Sequence, residues 1–312
     1  MKALLFPGQG SQAVGMGAEF FKNFQIVKDI FFEADERLGF KISKIILDGP
    51  NDELKLTKNT QPAILTISYS IFSVMKKEFN FNFKKFKFFA GHSLGEYSAL
   101  VAAESLKFSD AIKLLFLRGK AMQEAVPVGE GAMLAVLGIG NKELEKYIVE
   151  ATKNGVCEIA NDNAEGQIIT SGAKKSIEEL QKILKKDKIK SIILPVSAPF
   201  HCSLMTSASK KMEGEINSTD FKTPVIDLVN NVTALKEKNP ENIKNLLIKQ
   251  IYSKVRWRES VIFMKNQGVK DFIEIGPGKV LSGLVKRITS ECNTISLNSI
   301  EELKSLQNEF QR

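Results

Sequence analysis

Cysteine, histidine and tryptophan are scarce in this chain of 312 residues, with three Cys, two His and one Trp. Cys157, Cys202 and Cys292 are widely spaced, odd in number and form no CxxC pair, which argues against a disulfide framework and a cysteine zinc site and points to a reducing compartment. No apolar stretch approaches the roughly 18 residues of a membrane span. The opening run MKALLF is too short for a secretory leader, so a cytoplasmic protein with no membrane partner is expected. Low-complexity periods are also missing, which excludes a collagen, a coiled coil or a disordered chain. What remains is an ordinary globular composition, 43% hydrophobic and 26% charged. Lys and Arg number 44 against 36 Asp and Glu, a net charge of +8. The lysines are spread over amphipathic segments such as KKSIEELQKILKKDK without a basic-aromatic motif, so no nucleic-acid partner is expected. At this length one core is near its limit of about 250–300 residues, and two lobes are expected.

Lys2–Phe6 reads as a strand closed by Pro7-Gly8, followed by a glycine loop and a helix over 18–38. Asn59–Met75 has the apolar spacing of a helix buried on much of its surface. Phe86–Ala90 reads as a strand, GHSLGE as a sharp turn, Tyr97–Ala103 as a helix, and Asp110–Val126 as a further helix with Ser109 as its N-cap. Residues 127–197 then change character: strand 131–137, helix 141–151, strands 156–160 and 167–171, helix 176–186 and strand 190–196. This βαββαβ order is the ferredoxin-like pattern, and it lies between stretches that each read as α/β. An inserted small subdomain over 127–197 is expected, with 1–126 and 198–312 forming one larger α/β unit. In the second stretch Val225–Asn230 and Lys270–Ile275 are candidate strands, Asn242–Ile251 is a helix, GPGKVLSGLVKRI enters a helix from a glycine turn, and the last dozen residues read as a frayed helix.

Gly91-His92-Ser93-Leu94-Gly95 matches GxSxG, in which glycines flank a serine on a turn too tight for side chains. Alone the pattern is weak, and the competing reading is a tight turn with a capping serine. Its context is the strand, turn, helix order that exposes a serine hydroxyl and aims a helix N-terminus at developing charge. A serine nucleophile needs a base, and only His92 and His201 are available. Adjacent side chains diverge on an extended backbone, so His92 is poorly placed for the Ser93 proton. His201 lies in SAPFHC, where Pro199 favours a loop between the two lobes; the competing reading is a histidine packed beside Phe200. No acidic residue announces itself as a third member: Asp162 and Asp187 belong to the insertion, so a carbonyl group is expected to orient the imidazole.

In LLFLRGKAM, Arg118 follows four apolar residues, which calls for a snorkelling stem, an ion pair with Glu96 or Glu124, or a bound anionic substrate. FPGQGSQA satisfies the dinucleotide fingerprint, but residues 24–38 keep a helical period where a second strand would be needed. GPGKV lacks the spacing of a Walker A loop.

Taken together, FPGQGSQ at 6–12, GHSLGEYSAL at 91–100, Arg118-Gly119, SAPFH at 197–201, QIYSKVRW at 250–257 and EIGPGKVL at 274–281 resemble the malonyl-CoA:acyl-carrier-protein transacylases. The resemblance implies an α/β-hydrolase-like large subdomain with a mostly parallel sheet and a ferredoxin-like insertion. It implies Ser93 as acylated nucleophile, His201 as base, and Arg118 as partner of the malonyl carboxylate. Backbone amides of Gln9 and Leu94 would form the oxyanion hole, and the Gln250 carbonyl would orient His201. His92 and Asn161 would line the site, and Phe200 would leave little room for a 2-methyl group. The implied partners are malonyl-CoA and acyl carrier protein, with malonyl passing from one to the other through a malonyl-serine in fatty-acid synthesis. No cofactor or metal is implied beyond the phosphopantetheine arm of the carrier, and a monomer is expected. A serine thioesterase on the same core is the rival enzyme, distinguished by whether water or a thiol takes the acyl group. Two departures stand out: Cys202 follows His201 where many relatives have Ser, and Glu165 replaces Pro in the N-x-N-x-P-G-Q segment.

Overall fold

β1 (Lys2–Phe6) is buried on both faces, with Ala3 and Leu5 in one apolar cluster and Leu4 and Phe6 in another. That is the setting of a strand inside a parallel sheet covered by helices on both sides. The structure, a computed structural model, describes residues 1–196 and 198–311. Ser197, the first residue of SAPFH and the last of the expected insertion, and Arg312 lie outside the described residues.

α1 (Ala18–Asn23) and α2 (Gln25–Leu38) replace the single expected helix, because Phe24 is extended at φ −124° and breaks it. α3 (Ile42–Asp48) and α4 (Asn51–Lys55) lead into α5 (Thr57–Lys77), which is buried over most of its length. β2 (Phe86–Gly91), α6 (Gly95–Ala102) and α7 (Phe108–Glu124) follow. The expected Ser109 cap is corrected: burial of Phe108 draws it into the first turn, Lys107 takes the flanking position, and Ser109 lies inside the helix. Then come β3 (Gly131–Leu137), α8 (Asn141–Ala151), β4 (Cys157–Ala164), β5 (Gln167–Ala173), α9 (Lys174–Lys186) and β6 (Ser191–Ile193). α10 (Thr206–Ser218), β7 (Asp227–Val229), β8 (Lys236–Glu237), α11 (Pro240–Gln250) and α12 (Trp257–Asn266) continue the chain. β9 (Asp271–Ile275), α13 (Val280–Ile288), β10 (Asn293–Leu297) and α14 (Ile300–Gln311) complete it.

Among the described residues the strands form two sheets. The larger has the order β10-β9-β1-β2-β7-β8, parallel from β10 to β7 with β8 antiparallel at the edge. The smaller, β4-β5-β3-β6, is antiparallel at each pairing, the ferredoxin-like order. Along β3 the side chains alternate, so Leu134 and Val136 meet Leu144 of α8 and Ile177 of α9 while Met133 joins the large core. The expected mixed α/β fold, mostly parallel sheet plus a separate antiparallel one, is the fold observed.

β1, β2 and β7 are neighbours and run parallel, so the loops leaving their carboxyl ends converge at one edge of the sheet. Ligands of open parallel sheets bind at that edge. The small sheet is held against it by backbone bonds: Val255 N–H donates to Ala160 O at 2.8 Å and Asp162 N–H to Val255 O at 3.0 Å. Arg258 of α12 adds its Nε to Asp162 at 3.0 Å. Asp162, weighed as an acid for the histidine, is thus engaged by Arg258 and by Asn141 Nδ2 at 2.7 Å.

Candidate active site

Three residues separate the end of β2 from the start of α6. A Cβ on Gly91 would lie 1.9 Å from the Gly95 carbonyl, and a Cβ on Gly95 would lie 2.2 Å from Phe6 O. Both contacts are with backbone, so the glycines of GxSxG are required by close approach of the turn to itself and to β1. Gly95→Ala is expected to cost about 3 kcal/mol or more through forced backbone displacement, read as a lowered urea midpoint at unchanged slope. At the apex Ser93 takes φ +53°, a left-handed value that strains a non-glycine residue by about 1–3 kcal/mol. Asn231, just past β7, pins that conformation: its Oδ1 accepts the Ser93 N–H at 2.7 Å and its Nδ2 donates to Gly91 O at 2.7 Å.

Ser93 Oγ lies 2.8 Å from His201 Nε2, although 108 residues separate them in the chain. His201 Nδ1 lies 2.9 Å from the Gln250 carbonyl oxygen. A carbonyl only accepts, so Nδ1 carries the proton and Nε2 is left to accept from the serine hydroxyl. His201 is 5% exposed, and its pKa is pushed down to about 3, first by burial and then by the positive charge of Arg118. The imidazole is therefore neutral at physiological pH and ready to take a proton.

Arg118 projects from α7 into the same space. Gly119 beside it lets α7 press on the start of α5, since a Cβ there would lie 2.6 Å from Thr57 O. The guanidinium is 1% exposed and its Nη1 donates to Gln61 Oε1 at 2.7 Å. Nη2 donates to Gln250 Oε1 at 2.8 Å and to Ser93 Oγ at 3.2 Å. Among the described residues it forms no ion pair, and its Nε–H has no hydrogen-bond partner. The expected alternatives of Glu96 and Glu124 are corrected here: Glu124 pairs with Lys211 at 3.4 Å, and Glu96 accepts from Gln250 Nε2 at 2.8 Å and from Asn231 N–H at 3.0 Å. A buried cation held by two amide oxygens and by the Tyr97 ring, 5.8 Å from its guanidinium carbon, with an unpartnered Nε–H beside a serine hydroxyl, has the chemistry to receive an anion.

Residues 3–309 match the acyl transferase domain family. The chain is 41% identical over 306 residues to the malonyl CoA-acyl carrier protein transacylase of Haemophilus influenzae, covering 98% of this chain and 97% of that one. The chain belongs to the malonyl-CoA:acyl-carrier-protein transacylase family of acyl transferases. The acyl-carrier-protein-S-malonyltransferase of Bartonella henselae superposes with a TM-score of 0.97 at 40% identity, covering 100% of this chain and 99% of that one. A further match, TM-score 0.95 at 39% identity over 99% of each chain, is a malonyl-transacylase in complex with its holo type II PKS acyl-carrier protein.

Leu94 precedes α6 and is 1% exposed; Gln9 follows β1, with its Nε2 at 3.5 Å from Thr57 Oγ1. Among the described residues neither backbone N–H of these two donates a hydrogen bond, which leaves both free for an oxyanion. Among the described residues His92 makes no hydrogen bond to the serine: its Nε2 lies 2.9 Å from Asn163 Oδ1 and its ring lies 5.6 Å from that of Trp257. Burial lowers its pKa, partly offset by the Asn163 contact. Asn161 is buried on β4 beside Val255, and it is Asn163 rather than Asn161 that reaches His92. Phe200 is buried in the large cluster next to His201. Cys202 donates its Sγ–H to Pro199 O at 3.2 Å, and Glu165 pairs with Arg258 at 2.8 Å. Gln61 and Asn231 carry no chemical signal of their own in the sequence, where Glu96 enters only as a candidate ion-pair partner of Arg118. Among the described residues no group of three His, Cys, Asp or Glu could hold a metal ion, and no helix is long and apolar enough to cross a membrane.

Proposed function

We propose that this acyltransferase moves the malonyl group from malonyl-CoA to the phosphopantetheine thiol of acyl carrier protein through a malonyl-Ser93 ester, supplying malonyl carrier for fatty-acid synthesis. Ser93 gives its proton to His201 as it attacks the thioester carbonyl, and CoA leaves as the thiol. The carrier thiol then attacks the ester and restores Ser93. Gln9 and Leu94 N–H groups hold the oxyanion in both half-reactions, Gln250 fixes the imidazole, and Arg118 holds the malonyl carboxylate. His92 and Asn161 line the acyl pocket, and Phe200 disfavours 2-methylated acyl groups. The observation that carries this reading is the buried Arg118 without a carboxylate, 3.2 Å from the Ser93 hydroxyl that itself lies 2.8 Å from His201. The division into a catalytic unit, 1–126 and 198–312, and an insertion, 127–197, belongs to the same reading. So do a cytoplasmic location, a monomeric state, and the lack of metal, nucleic-acid and membrane partners.

Intact-protein mass spectra after brief exposure to malonyl-CoA test it. A malonyl adduct is expected on the wild type and not on Ser93→Ala, discharged on adding holo acyl carrier protein. An adduct cleared by water without preference for the carrier would make the enzyme a thioesterase.

A further inference from the structure

Glu96 is the glutamate of GHSLGE and a charged group for which the steps above have no use. It is 1% exposed and among the described residues forms no ion pair. Its Oε2 accepts from Asn231 N–H at 3.0 Å and from Gln250 Nε2 at 2.8 Å. Gln250 turns its Oε1 to Arg118 Nη2 at 2.8 Å and its Nε2 also to Ser93 O at 3.1 Å. One side-chain amide therefore separates the Glu96 carboxylate from the Arg118 guanidinium, and its orientation is fixed because only its NH2 end can donate to Glu96. Asn231, which pins the Ser93 amide, hangs from the same carboxylate.

We propose that Glu96 is a positioning residue of the acyl pocket that takes up a proton when an acyl group bearing a carboxylate seats on Arg118. The proposal rests on the assignment of Arg118 as the carboxylate partner. In the free site the buried charges are Arg118 and Glu96, which balance. A second carboxylate on Arg118 leaves the buried cluster with excess negative charge, and protonating Glu96 restores the balance. The carboxyl is prepared for this: burial raises its pKa to about 7 against the opposing pull of Gln250, Asn231 and Arg118. The other charged or titratable groups facing it are Arg118 from α7 and its neighbour Tyr97, whose pKa burial raises to about 12, so Tyr97 stays neutral throughout. The residues reaching it from α11 and from the segment after β7, Gln250 and Asn231, are uncharged. A protonated Glu96 keeps an oxygen that accepts from both, so the amide orientations survive uptake. Each pK unit by which the incoming carboxylate raises Glu96 makes malonyl binding about tenfold weaker at pH values well above both pKa values than well below them. An acetyl group, lacking the carboxylate, has no such dependence, so preference for malonyl over acetyl falls as pH rises past neutrality.

Calorimetric titration of full-length Ser93→Ala, in buffers of different ionisation heat at pH 7.5, counts the protons. Malonyl-CoA is expected to take up a measurable fraction of a proton beyond acetyl-CoA, which cancels the contribution of the CoA phosphates. In Ser93→Ala with Glu96→Gln the excess should vanish and malonyl-CoA affinity should become flat from pH 6.5 to 8.5. Equal proton counts for the two esters would overturn the proposal, as would an excess persisting in the Glu96→Gln chain, which would assign the proton to His201. A purely structural Glu96 would alter affinity without altering the count. If Glu96→Gln does not fold, infrared difference spectra of the malonyl-CoA complex replace it. The carbonyl band of a protonated carboxylic acid is then expected with malonyl-CoA and not with acetyl-CoA, and its absence overturns the proposal. Failure of the malonyl-transfer reading shows separately, as no malonyl adduct on wild-type Ser93.

Discussion

Arg118→Met is expected to lower kcat/KM for malonyl-CoA by about 10²–10⁴-fold while leaving acetyl transfer unchanged or faster. The magnitude follows from loss of a charge-assisted, water-excluded pair, whose truncation typically costs about 3–5 kcal/mol. The direction for acetyl follows from desolvation: in the absence of an anion the guanidinium is a buried charge with an unpartnered Nε–H, and methionine fills its volume without that penalty. The two substrates must be compared because Arg118 also donates to Gln250 and Ser93 Oγ. Were the arginine only a scaffold for those two groups, both transfers would fall together, and equal losses would remove the carboxylate role.

The elbow and its histidine were legible because their signals are local or scarce. GxSxG sits between a strand and a helix, and two histidines leave few choices of base. The ferredoxin-like unit was legible because its strands and helices are short, amphipathic and in an order with few topologies. Gln61 and Asn231 are silent in the sequence for the opposite reason. Each is an uncharged polar residue in a segment explained by other means, a helix start and a strand end. Their partners lie 57 and 138 residues away in the chain. Gln250 was reached through family resemblance and not through spacing. Among the secondary elements, α10 and α12 were missed, and β10 lies at the sheet edge where Ser296 and Thr294 are only half-buried, so it carries little apolar signal. β7 is shorter than the expected Val225–Asn230 because Val225 is 59% exposed and lies outside the ladder.

His201→Ala is expected to slow acylation of Ser93 by about 10²–10⁴-fold, the range for removing a positioned general base. Its pH dependence separates base catalysis from simple misfolding of the pocket. The wild-type imidazole, held to a pKa of about 3 by burial and by Arg118, stays neutral through the neutral range, so wild-type acylation should show no histidine limb near pH 6.5. In the alanine variant solvent must take the proton, and the residual rate should climb with pH. A rate that falls in parallel at every pH would instead mean displaced geometry. The same depressed pKa acts on stability. Between pH 6.5 and about 3 the unfolded chain binds a proton at this histidine that the folded chain does not, so stability contributed here is present above pH 6.5 and is lost as pH falls towards 3. Glu96 acts in the reverse sense, binding a proton in the folded state between the ordinary carboxyl value of 4.5 and about 7, so its contribution is full below 4.5 and is lost as pH rises through 7. Urea midpoints at pH 5 and 7.5 should therefore move in opposite directions in the two variants: His201→Ala loses less stability on acidification than the wild type does, and Glu96→Gln loses more.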